Sequence, residues 1–225
     1  MSEIILSTTN VGSHMWKMNH ENSDTDLFTI YVADTKEYLM GIANLDSTSK
    51  SNGLTGKDKV EEVRHEIGHV IEQLLTGNVN FLWGVLSPII IYPKQTFDAF
   101  AQHPEDLEPF QTLRDIVKDN LAKNSYNSIH GLAIANKRKY LDSVGCPEDV
   151  KKKKVKIILR TLNFGINILR GNGSLFDKIA DDLDIQIVEP WIQELENVYR
   201  DSQLPESPNP EPFRQYLFDL RMRNL

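Results

Sequence analysis

Two aspartates one residue apart, Asp24 and Asp26, follow a Gly12-Ser13 pair and stand at the head of an apolar run, Leu27 to Val32. If that run is a strand, side-chain alternation puts both carboxylates on one face. Anions held that close repel each other unless a cation sits between them. Hard oxygen ligands at a strand end suit Mg2+, which keeps its remaining positions for water and substrate phosphates. The Gly-Ser turn offers backbone N–H groups and a hydroxyl to phosphate oxygens, the glycine allowing close approach, and Ser23 stands just before the pair. Together these groups fit phosphoryl or nucleotidyl transfer from a nucleoside triphosphate such as ATP. Two Mg2+ ions ~3.5–4 Å apart would serve it, one activating the acceptor and one steadying the leaving pyrophosphate.

A second pattern points to different chemistry. His65-Glu66-Ile67-Gly68-His69 matches His-Glu-x-x-His, in which two histidines one helical turn apart bind Zn2+ and the glutamate acts as base in a metallopeptidase. Against it, Val63, Ile67, Val70, Ile71 and Leu74 form the expected buried stripe, leaving His65, His69, Gln73 and Thr76 on a polar face. A catalytic zinc also needs a third protein ligand, and only His103, Glu105 and Glu108 offer themselves. The zinc reading moreover says nothing about Gly12 to Leu27.

The elements that must position these residues fall into two textures. Short β-rich runs, Ile4 to Thr8, Leu27 to Val32, Val60 to Arg64 and Ile89 to Tyr92, mix with a helix in the first 100 residues. From Pro104 the period turns helical, with helices expected near 105–123, 125–143, 149–170, 175–200 and 211–222. Leu159, Leu162, Ile166 and Leu169 make a core-facing stripe, and Gly171-Asn172-Gly173 stops that helix. Four prolines between Pro205 and Pro212 make a rigid connector. The expectation is an α+β fold: a small mixed β-sheet domain over 1–100 and a helical C-terminal region over 101–225.

The run from Gly12 to Leu27 resembles the signature of the DNA polymerase beta-like nucleotidyltransferase superfamily: Gly-Ser, a variable loop, then Ser-Asp-x-Asp-Leu. It looks closest to the predicted nucleotidyltransferase branch, with support from His65 to Ile67, Leu74 to Asn78 and Leu86 to Tyr92. The resemblance implies transfer of a nucleoside monophosphate to a hydroxyl, on RNA, a protein or a small molecule. It also implies a third acid on a neighbouring strand, to complete the metal cluster or to take the proton of the attacking hydroxyl. Glu61, Glu62 and Glu66 are the candidates. Glu61 and Glu66 fall on the family's acidic positions; Glu61 is favoured because it lies within the expected strand, whereas Glu66 is expected to open the helix. Arg160 also matches a family position, where its forked donors would suit phosphate. One departure is Lys17, where the family usually has a second loop glycine. A lysine there either reaches the triphosphate or marks a loop that no longer cradles a nucleotide, which keeps a non-catalytic binding module open.

Bulk properties agree with a folded, intracellular protein. The chain has 225 residues, 40% hydrophobic and 25% charged, with a formal charge of -7. That charge excludes a surface built throughout to grip nucleic acid. Yet between Lys137 and Arg160 nine basic residues face three acidic ones, a local +6. A lone thiol, Cys146, fits a reducing compartment. The first residues carry Glu3 and no basic start, and no apolar run approaches ~20 residues, so the cytoplasm, with no membrane span, is expected.

Overall fold

The structure is a computed structural model that describes residues 3–91, 108–171, 174–180 and 184–223. The chain packs as two units, one formed by Met1–Leu75, Asn80–Asn120 and Asn209–Leu225, the other by Thr76–Val79 and Leu121–Pro208. The fold is α+β, with a mixed five-stranded sheet in the first unit.

Strand β1 (Ile4–Asn10) leads through the one-turn helix α1 (Gly12–Met15) to β2 (Thr25–Val32). Helix α2 (Thr35–Leu39), β3 (Thr48–Ser51) and β4 (Val60–Glu66) follow. Then come α3 (Ile67–Leu75), α4 (Val79–Leu86) and the short β5 (Ile90–Ile91). Strand order is β3-β4-β2-β1-β5. Strands β2 and β4 pair in parallel, because the chain between them crosses over and returns in the same direction.

Two pairings place the charged side chains. The antiparallel β1–β2 pair sets Asn10 against Leu27 and so brings the α1 turn beside the start of β2. The parallel β2–β4 pair puts Asp26 opposite Glu61, with Phe28 opposite Val63 and Ile30 opposite His65. The core on this face comes from Phe28, Ile30, Ile67, Val70, Ile71, Leu74, Phe81 and Val85, all buried. Thr9 hydroxyl donates to the Gly84 carbonyl at 2.7 Å and Ser87 to the Asn10 carbonyl at 2.6 Å, fastening α4 across the end of β1.

Helices α5 (Glu108–Asp119), α6 (Ser125–Asn136), α7 (Glu148–Arg170), α8 (Val188–Asp201) and α9 (Pro210–Arg223) complete the fold. The α7 stripe expected from Leu159, Leu162, Ile166 and Leu169 is buried, and Gly171, at φ 69°, ends that helix. The helix expected over 175–200 is shorter: residues 174–180 are not helical, a 3-10 turn spans Ile185–Ile187, and α8 begins at Val188. Asp184 causes the late start, its carboxylate capping the Gln186 N–H at 3.1 Å. Tyr92, His103, Glu105, Asn172 and Gly173 lie outside the described residues. No helix among those described is long and apolar enough to cross a membrane.

A three-carboxylate candidate site on the parallel strand pair

Asp24, Asp26 and Glu61 each offer a carboxylate oxygen, and these atoms all lie within 4.8 Å of one another. The sheet register accounts for it. Asp26 and Glu61 are paired residues of parallel strands and share a face, and Asp24 is two residues before Asp26. Glu62, one residue on, turns to the opposite face, where Arg64 lies 3.7 Å from it.

A concentration of negative charge raises the affinity of its members for protons. The Asp26 carboxyl is pushed above its ordinary value, first by burial, then by Asp24 and Glu61. The nearest cation is Lys59, its ammonium 2.7 Å from Glu61 and 3.8 Å from Asp24. Lys59 was not among the residues singled out from sequence, although its place two residues before Glu61 puts it on the same side of the strand. His14 was missed too; its Nε2 lies 3.1 Å from the Asp24 carbonyl and ties α1 to the carboxylates.

These residues fit divalent cations. All three ligands are hard oxygens, and partial burial raises the proton affinity of Asp26 where an ordinary carboxylate would be solvated. An ammonium already stands against two of them in the role of a counter-charge.

Gly12 is required by this geometry. Its φ of 64° is left-handed, and a Cβ there would come within 2.1 Å of Asp26 Oδ2. The backbone therefore lies against the carboxylate in space that no side chain can share. Ser13 follows within α1, half-buried, and the Asp26 carbonyl accepts from Val11 N–H at 2.8 Å. Ser23 is occupied locally, its hydroxyl accepting from His20 N–H at 2.9 Å.

Lys17 carries a second piece of information. Among the described residues it is the non-glycine at positive φ, 54°. The backbone thus keeps a conformation that favours glycine at the position where the resembling family usually has one. Its side chain is exposed.

Glu66 is not brought to the cluster; it stands immediately before α3 and caps that helix, as the sequence led one to expect. It is the last residue of β4, 1% exposed, and is held by Arg221 of α9. Its Oε2 accepts from Gly68 N–H at 2.6 Å and Oε1 from Ala33 N–H at 3.4 Å, while Arg221 also donates to the Ala33 carbonyl at 2.8 Å. This carboxylate is committed to packing the last helix against the end of the sheet. Arg160 lies on α7, in the second unit.

The His-Glu-x-x-His pattern does not form a helical zinc pair. His65 belongs to β4 and His69 to α3, with Ile67 the first helical residue, so the pattern straddles a boundary. His65 is not on a polar face but buried at 8% exposure between Phe28 and Phe81, and Val63 is the exposed member at 37%. Its Nδ1 is 2.7 Å from Ser47 Oγ, and burial, then His69, lowers its pKa to about 4. Its surroundings thus keep it neutral and packed.

Comparison with known families sets the chain in a class, the DNA polymerase beta-like nucleotidyltransferases. Within that class the chain belongs to the RlaP family, the RNA repair pathway DNA polymerase beta family, whose model matches residues 3–203. No curated protein matches it.

Proposed function

We propose that this protein is a divalent-metal-dependent nucleotidyltransferase that moves a nucleoside monophosphate from a triphosphate to a hydroxyl acceptor. Family membership supports the reaction type. The observation that carries the reading to this chain is the convergence of Asp24, Asp26 and Glu61. The family's description concerns RNA repair, which makes an RNA hydroxyl the first acceptor to test.

In the reaction the acceptor oxygen attacks the α-phosphorus, the bond from that phosphorus to the β-phosphate bridging oxygen breaks, and pyrophosphate leaves. The hydroxyl proton passes to a carboxylate or to water. Asp24, Asp26 and Glu61 would hold the cations, Mg2+ being the ion that suits three oxygen ligands and a triphosphate. Bound there, such ions neutralise phosphate charge and lower the pKa of the attacking hydroxyl. Gly12 keeps the approach to Asp26 free of a side chain. Ser13 supplies a hydroxyl and the turn its N–H donors for phosphate oxygens. Lys17, exposed on a loop of glycine-like conformation, supplies an ammonium to the same triphosphate, and Ser23 steadies the loop before Asp24.

A thermal-shift screen of the four nucleoside triphosphates with Mg2+, Mn2+ or Zn2+ tests this reading. A ligand bound only by the folded state at 100 times its Kd stabilises by about 2.7 kcal/mol. A triphosphate with Mg2+ should raise the melting temperature of the wild type and not of Asp24→Asn. A shift with Zn2+ alone that disappears in His65→Ala with His69→Ala would return the peptidase reading. Nucleotide binding without transfer to any acceptor would leave a binding module.

A further inference from the structure

The second unit carries positive charge that the transfer site does not use. Helix α6 widens after Asn136 into a π turn, Lys137–Leu141, closed by Asp142 N–H donating to the Lys137 carbonyl at 3.1 Å. Such insertions are uncommon and are found often at functional sites. The widened turn presents Tyr140, and two ammonium groups sit over its ring: Lys139 at 5.1 Å and Lys154 of α7 at 4.2 Å. Lys151 stands one helical turn before Lys154 on the same side of α7. Lys152 and Lys153 are exposed beside it.

The described residues offer these cations no counter-charge. Among the described residues Lys139, Lys151, Lys152, Lys153 and Lys154 make no ion pair, whereas neighbouring Lys137 reaches both Asp142 at 3.3 Å and Glu189 at 3.6 Å. The nearby acids Glu148 and Asp149 occupy the first turn of α7, where the helix dipole favours them. The tyrosine ring is the partner that draws two of the lysines together, and its hydroxyl is made more acidic by them, Lys139 first. Gathering Lys139, Lys151, Lys152, Lys153 and Lys154 on one stretch raises the positive potential they present, in a chain whose net charge is -7.

We infer that the Lys139–Tyr140–Lys154 cluster, extended by Lys151, is a docking surface for the phosphodiester backbone of single-stranded RNA. The choice of RNA rests on the nucleotidyl-transfer reading above and on charge complementarity. The ammonium groups gathered at the Tyr140 ring carry the contact, so the surface reads phosphates and not sequence. Binding is therefore indifferent to base composition and steep in salt. With three phosphates neutralised by Lys139, Lys151 and Lys154, log K falls against log salt with a slope of about −2, at about −0.7 per contact for single strands. From 50 to 200 mM salt that is a loss of about 15- to 20-fold in affinity.

Fluorescence anisotropy with labelled 12-mer oligouridylate and a mixed-sequence 12-mer tests it on the full chain. The wild type should bind both alike with that slope. Lys139→Ala with Lys151→Ala and Lys154→Ala should flatten the slope to near zero, and the corresponding triple arginine variant should keep it. The alanine variant should retain its thermal shift with triphosphate and Mg2+, which shows that it is folded and separates this surface from the transfer site. Asp26→Asn, conversely, should bind the oligomers as the wild type does. The inference is overturned if the alanine variant binds with the wild-type slope, or if the wild type shows no salt-dependent binding. It is equally overturned if phosphatidylserine vesicles bind where the oligomers do not. A failure of nucleotidyl transfer with oligomer binding intact would overturn the function and leave the surface standing.

Discussion

Replacing Asp26 with asparagine should make the protein more stable and less capable. The carboxylate oxygens of Asp24, Asp26 and Glu61 lie within 4.8 Å of each other. At that separation two unit charges repel by about 0.9 kcal/mol in water and about 3.5 kcal/mol at an effective dielectric of about 20. Asp26 meets two such neighbours, and Lys59, placed against Glu61 and Asp24, offsets part of the cost. Because the cluster is half open to solvent, screening reduces the sum, and about 1–2 kcal/mol is the gain expected from Asp26→Asn without metal. At about 2–4 °C per kcal/mol for a chain of this size, the melting temperature should rise by about 2–8 °C in chelator at neutral pH and low salt. The pH dependence has a definite sign. The folded-state pKa of Asp26 is raised above 3.8, so its contribution is greatest below that value and is lost as pH rises through the folded pKa. The gap between variant and wild type should therefore close on acidification. Differential scanning fluorimetry with chelator, then with Mg2+ and triphosphate, measures both halves. An asparagine variant that melts at or below the wild type in chelator, or that keeps the full ligand-induced shift, would refute the reasoning.

Four other expectations rest on the same geometry. Gly12→Ala combines a strained positive φ with a Cβ on Asp26 Oδ2, so it should destabilise by more than about 1 kcal/mol in urea unfolding and abolish transfer. Lys17→Gly removes a non-glycine from the left-handed region, which costs about 1–2 kcal/mol; stability should be equal or higher, while the triphosphate KM should rise if the ammonium binds phosphate. Glu66→Ala leaves Arg221 buried without its partner and should cost about 3–5 kcal/mol by denaturant titration, with the Mg2+-triphosphate shift surviving in the folded fraction. His65 has its pKa lowered from 6.5 to about 4, so the unfolded chain takes the proton first. Stability present above pH 6.5 should drain away down to about pH 4, by about 2 kcal/mol after allowance for screening, and His65→Phe should remove that slope.

The sequence made Gly12, Ser13, Asp24 and Asp26 legible because their relation is local, one turn and one strand start. The choice among Glu61, Glu62 and Glu66 was not local. It depended on a parallel register between β2 and β4, in which a shift of one residue sends a side chain to the other face. Glu66 was the hardest, since its partner Arg221 comes from a helix 155 residues away. Strand β3, Thr48–Ser51, is exposed along its whole length and has no apolar alternation to announce it. His65 was misplaced on a polar helix face for a related reason: five residues with helical spacing ran from strand into helix, and periodicity alone does not mark that joint. The α7 stripe, by contrast, was plain because its apolar residues repeat over many turns.

The most direct test of the central claim uses one triphosphate labelled separately at the α- and γ-phosphorus, with Mg2+ and a short RNA. Label should enter the acceptor from the α position and not from the γ position, and should disappear with Asp26→Asn while persisting with Glu66→Gln. Transfer of γ-label, or α-label transfer undiminished in Asp26→Asn, would contradict it.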